Sequence, residues 1–293
     1  MSHEPDTRVR QKVRLPELTA MRQRGERIVM VTAYDAPSAR LADAAGVDMI
    51  LVGDSAGTTV LGDRSTVPVT MDEMIVFTRA AVRGVTRALV VADMPFGSYQ
   101  VSEETAVANA IRLVKEAGAD AVKLEGAGRT LTRISGIVDA GMAVMGHVGL
   151  TPQSATLLGG YRAQARTAPA AARLIDQAVA LERAGCFAIV LEAVPAVVAE
   201  EVTAAVTVPV IGIGAGAACS GQVLVWHDLL GLSEGPLPRF VKAYADLHAI
   251  IGAALREYAD EVRRGVYPEP RHTYGMPEVE QERFASRHPS RKR

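Results

Sequence analysis

Four carboxylates stand where apolar runs end. Asp54 closes "DMILVGD", Asp93 closes "ALVVAD", Glu125 closes "DAVKLE" and Glu192 closes "AIVLE". Lys123 lies two residues before Glu125, which puts both side chains on one face of a strand. Carboxylates gathered in one place repel each other unless a cation, a basic partner or a proton relieves them. Lys123 supplies one positive charge, and a divalent ion is the natural second. Oxygen-only donors favour magnesium or a similarly hard ion, which takes one or two carboxylates and leaves positions for water and substrate. Each acid alone has a blander reading, as the N-cap of the next helix. His147 ends "AVMGH" at the same strand-end position and reads as a supporting site group or as a satisfied structural histidine. His227 has the weaker claim, because its strand is poorly defined.

The elements that must carry these residues alternate strand and helix. Apolar, β-branched runs occur at "IVMVTAYD", "DMILVGDS", "ALVVADMPF", "DAVKLEG", "AVMGHVG", "AIVLEAV" and "VPVIGIGAG", with a weaker eighth in "QVLVWHDLLG". Continuous runs of this kind suit a parallel sheet covered on both faces. Thr70 and Glu73 form a capping-box pattern before "MIVFTRAAVRG", with Gly84 at its stop. Ser102 is the N-cap of a second helix, whose stripe is Val107, Ala110, Ile111 and Val114 and which Gly118 closes. Glu125 and Glu192 each follow a helix-stop glycine, Gly118 or Gly185, by seven positions, whereas Asp54 follows Gly46 by eight. About eight such units predict a closed (β/α)8 barrel of the TIM type, whose active site gathers at the C-terminal strand ends. A doubly wound open sheet is the alternative.

Composition narrows the function. The 293 residues carry 32 basic and 33 acidic side chains, which argues against a nucleic-acid or membrane-surface partner. Aromatics make up 4%, too few for base-stacking platforms. Cys186 and Cys219 stand far apart without metal spacing and read as buried, reduced thiols. No secretory pattern opens the chain and no apolar run reaches a membrane span, so a cytoplasmic enzyme is expected. Residues 1–14 read as a polar, mobile arm, 15–267 as one barrel domain and 268–293 as a charged tail. "GIGAG" (Gly212–Gly216) lacks the third spaced glycine of a dinucleotide loop and reads as a tight turn with open amides.

Ordered along the chain, "VTAYD", "LVGDS", "DMPF", "VKLEG", "GHVGLTPQS", "GGY" and "IGIGAG" closely resemble the ketopantoate hydroxymethyltransferases, from about Leu15 to Pro268. The resemblance implies a phosphoenolpyruvate/pyruvate-type barrel assembled as a homodecamer of two pentameric rings. It implies Mg2+ at Asp54, Asp93 and Glu125, an α-keto acid substrate held by Asp54, Ser55, Asp93 and Lys123, and Glu192 as catalytic base. It implies 5,10-methylenetetrahydrofolate as the one-carbon donor to 3-methyl-2-oxobutanoate, within pantothenate synthesis. Arg162 and Ser220 depart from the family's usual lysine and aspartate, which leaves loop details and folate contacts open. A magnesium-dependent carbon–carbon lyase or phosphoenolpyruvate mutase-like enzyme is the second reading, although neither cysteine sits in the catalytic loop those enzymes often carry. A non-catalytic barrel is the third.

Overall fold

The computed structural model describes residues 11–288. The chain divides into two compact units, with the boundary between Tyr244 and Ala245. The first unit runs α1 (Leu15–Gln23), β1 (Ile28–Thr32), α2 (Ala36–Ala44), β2 (Met49–Val52), α3 (Met71–Gly84), β3 (Leu89–Asp93), α4 (Glu103–Lys115), β4 (Ala121–Glu125), α5 (Thr130–Asp139), β5 (Ala143–Gly149), α6 (Ala168–Arg183), β6 (Ala188–Glu192), α7 (Ala196–Ala205), β7 (Val210–Ile213), β8 (Gly221–Leu224) and the short α8 (Trp226–Leu229). The eight strands pair in sequence order, and β8 returns to β1, closing a barrel. Pairing is parallel throughout, for example Met30 with Met49 and Val31 with Leu224. The second unit carries α9 (Leu247–Arg264) and α10 (Glu278–Arg287).

Why the strands read as unbroken apolar runs is visible in two clusters. Met30, Met49, Leu51, Leu89, Val91, Met145, Val190 and Ile211 fill the inside of the barrel. Their neighbours Val31, Ile50, Val90, Val122, Ile189 and Val210 pack outward against the helices. A strand buried on both faces has no polar alternation to show. Leu18 of α1 joins the inner cluster with Ile28, Leu89 and Ala121, so α1 plugs the N-terminal end of the barrel. The open end is therefore the C-terminal one.

Residues 1–10 of the expected arm lie outside the described residues. At its end, Val13 is buried and donates its N–H to Arg87 O, and Lys12 Nζ reaches Ala88 O and Asp120. The tail assigned to 268–293 contains α10.

The predicted capping signals hold. The Thr70–Glu73 box is formed in both directions, and the Ser102 side chain accepts from Thr105 N. The stripe on α4 is shifted: Ala106, Ala110 and Leu113 are buried, Val107 and Val114 flank them, and Ile111 is 44% exposed. The chosen set began one position late, because alanines extend the apolar face without standing out in the pattern. Gly84 ends α3 for a reason other than the one its position implied. A Cβ there would stand 2.3 Å from Ala36 O, so the glycine admits the start of α2. The seventh unit departs from the expected repeat, because residues 214–220 join β7 to β8 without a helix.

Candidate active site

Strand parity places the side chains. Along β4, Ala121 belongs to the inner cluster, while Val122 and Leu124 face outward. Lys123 and Glu125 therefore share the inward direction. The same count turns Asp93 inward after Leu89 and Val91, His147 after Met145, and Glu192 after Ala188 and Val190. Register sets Asp93 beside Lys123, Glu125 beside His147, and Gly149 beside Glu192. Gly149 has φ of +95°, and a Cβ there would meet Glu192 O at 2.3 Å. Asp54 lies past the end of β2, and its own N–H donates to Asp93 Oδ2 at 3.3 Å. Asp54, Ser55, Asp93, Lys123, Glu125, His147 and Glu192 all line one cavity of about 170 Å3.

The electrostatics of this mouth are tightly coupled. Lys123 Nζ donates to both oxygens of Asp93, each at 2.6 Å, and both residues are buried. Burial opposes the ammonium charge, but Asp93, Glu125 and Asp54 outweigh it and hold the lysine well above its ordinary range. One lysine does not balance the acids. Burial, then Asp93 and Glu125, push the Asp54 carboxyl up to about 8. His147 stands between two acids, with Nδ1 3.5 Å from Glu125 Oε1 and Nε2 3.3 Å from Glu192 Oε2. These distances permit ion pairing, but the geometry falls short of hydrogen bonding: both ring nitrogens and Glu125 Oε1 are buried without a hydrogen-bond partner. Burial disfavours the charged ring, yet Glu125 and Glu192 outweigh it and push the imidazole up to about 9.

Residues 12–270 match the family model described as ketopantoate hydroxymethyltransferase. The chain is 59% identical over 265 residues to a 3-methyl-2-oxobutanoate hydroxymethyltransferase of Moorella thermoacetica, covering 90% of this chain and 98% of that protein. The chain belongs to the ketopantoate hydroxymethyltransferase family. A second member, from Heliobacterium modesticaldum, is 54% identical over 90% of this chain and 96% of its own length. Among solved structures, a phosphoenolpyruvate phosphomutase from Streptomyces platensis subsp. rosaceus aligns with a TM-score of 0.59 at 18% identity, covering 94% of this chain and 98% of the other. An oxaloacetate acetylhydrolase bound to its product oxalate aligns at 0.58 with 15% identity, covering 94% and 97%. At these identities the likeness is one of fold, the closed parallel barrel.

The family's chemistry makes the site's donor set worth testing against a metal. Among the described residues, no group of three or more Asp, Glu, His or Cys side chains is arranged to hold an ion as it stands. The donor chemistry nevertheless fits a hard cation. Asp54 and Asp93 are adjacent, burial and the neighbouring acids disfavour the charged Asp54 carboxylate in a way a cation would relieve, and Glu125 Oε1 is buried with no hydrogen-bond partner. An ion that takes one or two carboxylates and completes its shell with water and substrate suits that arrangement.

Several residues that build this ketopantoate hydroxymethyltransferase-family site carry no signal in strand periodicity. Gln153, buried in the loop after β5, donates from Nε2 to Asp54 Oδ2 and to Met94 O, both at 2.9 Å. Its backbone N–H donates to Glu125 Oε2 at 3.0 Å, and Tyr99 OH donates to its Oε1 at 2.6 Å. Tyr34 OH lies 2.8 Å from Ser55 Oγ. Thr66, buried with an unpartnered hydroxyl, also lines the cavity. The phrase "GHVGLTPQS" contained Gln153 but gave no reason to single it out. His227 does not line the cavity, and its ring lies 5.7 Å from that of Tyr34. Burial pushes the Cys186 thiol up to about 12, as expected of an inert cysteine. Ser220 sits at the barrel's other end, where its Oγ accepts from Val210 N and its carbonyl from Ile28 N. That departure therefore does not touch the site.

Proposed function

We propose that this chain transfers a hydroxymethyl group from 5,10-methylenetetrahydrofolate to 3-methyl-2-oxobutanoate, giving ketopantoate for pantothenate synthesis. The observation that carries the reading is a half-buried Glu192 facing His147 across a small cavity from the Lys123–Asp93 pair. Family membership supplies the substrates.

The substrate's C3–H is a weak acid, so its removal needs a positioned base and stabilisation of the charge that develops on the keto oxygen. Glu192 is the base, and His147, 3.3 Å away, orients its carboxylate toward the cavity. Lys123, held by Asp93, places a fixed positive charge beside the developing enolate. Ser55 donates to the substrate carboxylate while Tyr34 holds its hydroxyl in place. Val190, Ile213 and Val223 give the cavity an apolar side for the substrate's isopropyl group. Water cleaves both carbon–nitrogen bonds of the folate's methylene, its two protons going to the two nitrogens and its oxygen staying with the carbon at the formaldehyde level. The enolate carbon adds to that carbonyl, and the alkoxide formed takes the proton held by Glu192. Asp54, Asp93 and Glu125 are the residues that would hold magnesium, which when bound polarises the keto oxygen as a Lewis acid.

The test is ketopantoate formation from the two substrates with magnesium and with excess chelator. Product that disappears with chelator supports transfer and metal dependence together. Folded, magnesium-supplied protein that yields no product contradicts the reading. Assembly as a decamer and a cytoplasmic location belong to the same proposal. In their support, no described helix is long and apolar enough to cross a membrane, and each unit exposes apolar surface. The first carries a groove of about 470 Å3 over β1 and β8, lined by Val29, Leu41 and Leu224, and α9 of the second exposes Ile250, Leu255 and Tyr258.

A further inference from the structure

The catalytic cavity is too small to hold both reactants. At about 170 Å3 it falls below the ~300–1,000 Å3 typical of pockets for drug-sized ligands. A second cleft of about 1040 Å3 adjoins it, and Glu192, Pro238 and Phe240 line both. Lys123 does not line this cleft, which carries a different chemistry. Arg162 and Arg166 enter from the segment between β5 and α6, and Arg239 from the segment after α8. Among the described residues, none of these guanidiniums lies within ion-pairing distance of a carboxylate. Tyr161, 57% exposed, and Phe240, 37% exposed, present ring surface in the same cleft.

We propose that this cleft seats the folate, with Arg162, Arg166 and Arg239 binding the carboxylates of its glutamate tail. The assignment rests on the transfer reading above and extends it to residues. The one-carbon unit must reach the carbon that Glu192 deprotonates, so the pterin end lies at Glu192 and the tail runs outward to the arginines. Planar rings stack on Tyr161 and Phe240. Guanidinium forks match carboxylates in shape and charge.

The backbone holds this wall in place. Gln164 N–H donates to Ala193 O at 2.8 Å, tying the arginine segment to the residue after Glu192. Ala165 and Ala193 are the non-glycine residues at positive φ among those described, at 53° and 49°. Such strain persists only where surrounding structure imposes it, and here it flanks the base and the arginines.

A double cycle between protein and ligand tests the proposal. KM is measured for 5,10-methylenetetrahydrofolate and for 5,10-methylenetetrahydropteroate, which lacks the glutamate, with the native chain and with Arg162→Ala/Arg166→Ala/Arg239→Ala. The native enzyme is expected to show a KM about tenfold or more higher for the pteroate, the scale of one charge-assisted hydrogen bond. In the triple variant the two KM values should converge, because the removed groups are partners. Arg239→Ala alone, in a separate segment, should move part of the way, and Arg133→Ala on the outside of α5 should not move the ratio. A native enzyme indifferent to the glutamate, or a triple variant that keeps the full ratio, overturns the cleft assignment. A native enzyme that makes no product from either folate overturns the transfer reading beneath it.

Discussion

Gln153 shows how much of the site depends on one uncharged side chain. It joins Asp54, Met94 O and Tyr99, while its backbone N–H serves Glu125. Replacement by leucine keeps the size and removes three buried hydrogen bonds, leaving their partners unsatisfied. Each abandoned group costs about 1–3 kcal/mol, so Gln153→Leu should lose at least about 2 kcal/mol in urea unfolding. It should also lower kcat by freeing the Asp54 carboxylate. A variant with native stability and rate would show that these contacts are incidental. The sequence made Asp93, Lys123, Glu125, His147 and Glu192 legible because each lies at or within two residues of the C-terminal end of its strand, on the inward parity. It left Gln153, Tyr99, Tyr34 and Thr66 obscure because they come from loops, and no periodicity records where a loop returns.

At the scale of elements, apolar run length and capping chemistry identified eight strands and the ends of α3 and α4. Phase was harder to read than existence. Alanine-rich α4 buries Ala106, Ala110 and Leu113 and leaves Ile111 half exposed, since a small residue marks a close approach that hydrophobicity does not score. Gly84 makes the same point with an unusual sign. Gly→Ala within a helix ordinarily gains about 0.5–1 kcal/mol. Here the new methyl group would meet Ala36 O at 2.3 Å. Gly84→Ala should therefore destabilise the protein, by about 1–3 kcal/mol, as overpacking does. Thermal unfolding checks it, and a raised melting temperature would mean that α2 and α3 separate at little cost. The missing helix between β7 and β8 could not be read from seven intervening residues rich in small side chains, which look like any other turn.

At the scale of the molecule, a barrel gathers strand ends that lie far apart in the chain, which is why a buried strand delivers a carboxylate at its tip. Exposed apolar surface on both units predicts self-association. Mass measured in solution at working concentration should give ten chains, and a monomer would contradict the assembly proposed. Beneath these expectations lies a single claim: that this mouth removes a proton from C3 of an α-keto acid, with Glu192 as the base. Solvent deuterium exchange at C3 of 3-methyl-2-oxobutanoate, followed by NMR with magnesium and without folate, tests it most directly. The native enzyme should exchange that hydrogen, and Glu192→Gln, folded to the same stability, should not. Exchange that survives in Glu192→Gln would remove Glu192 from the role of base.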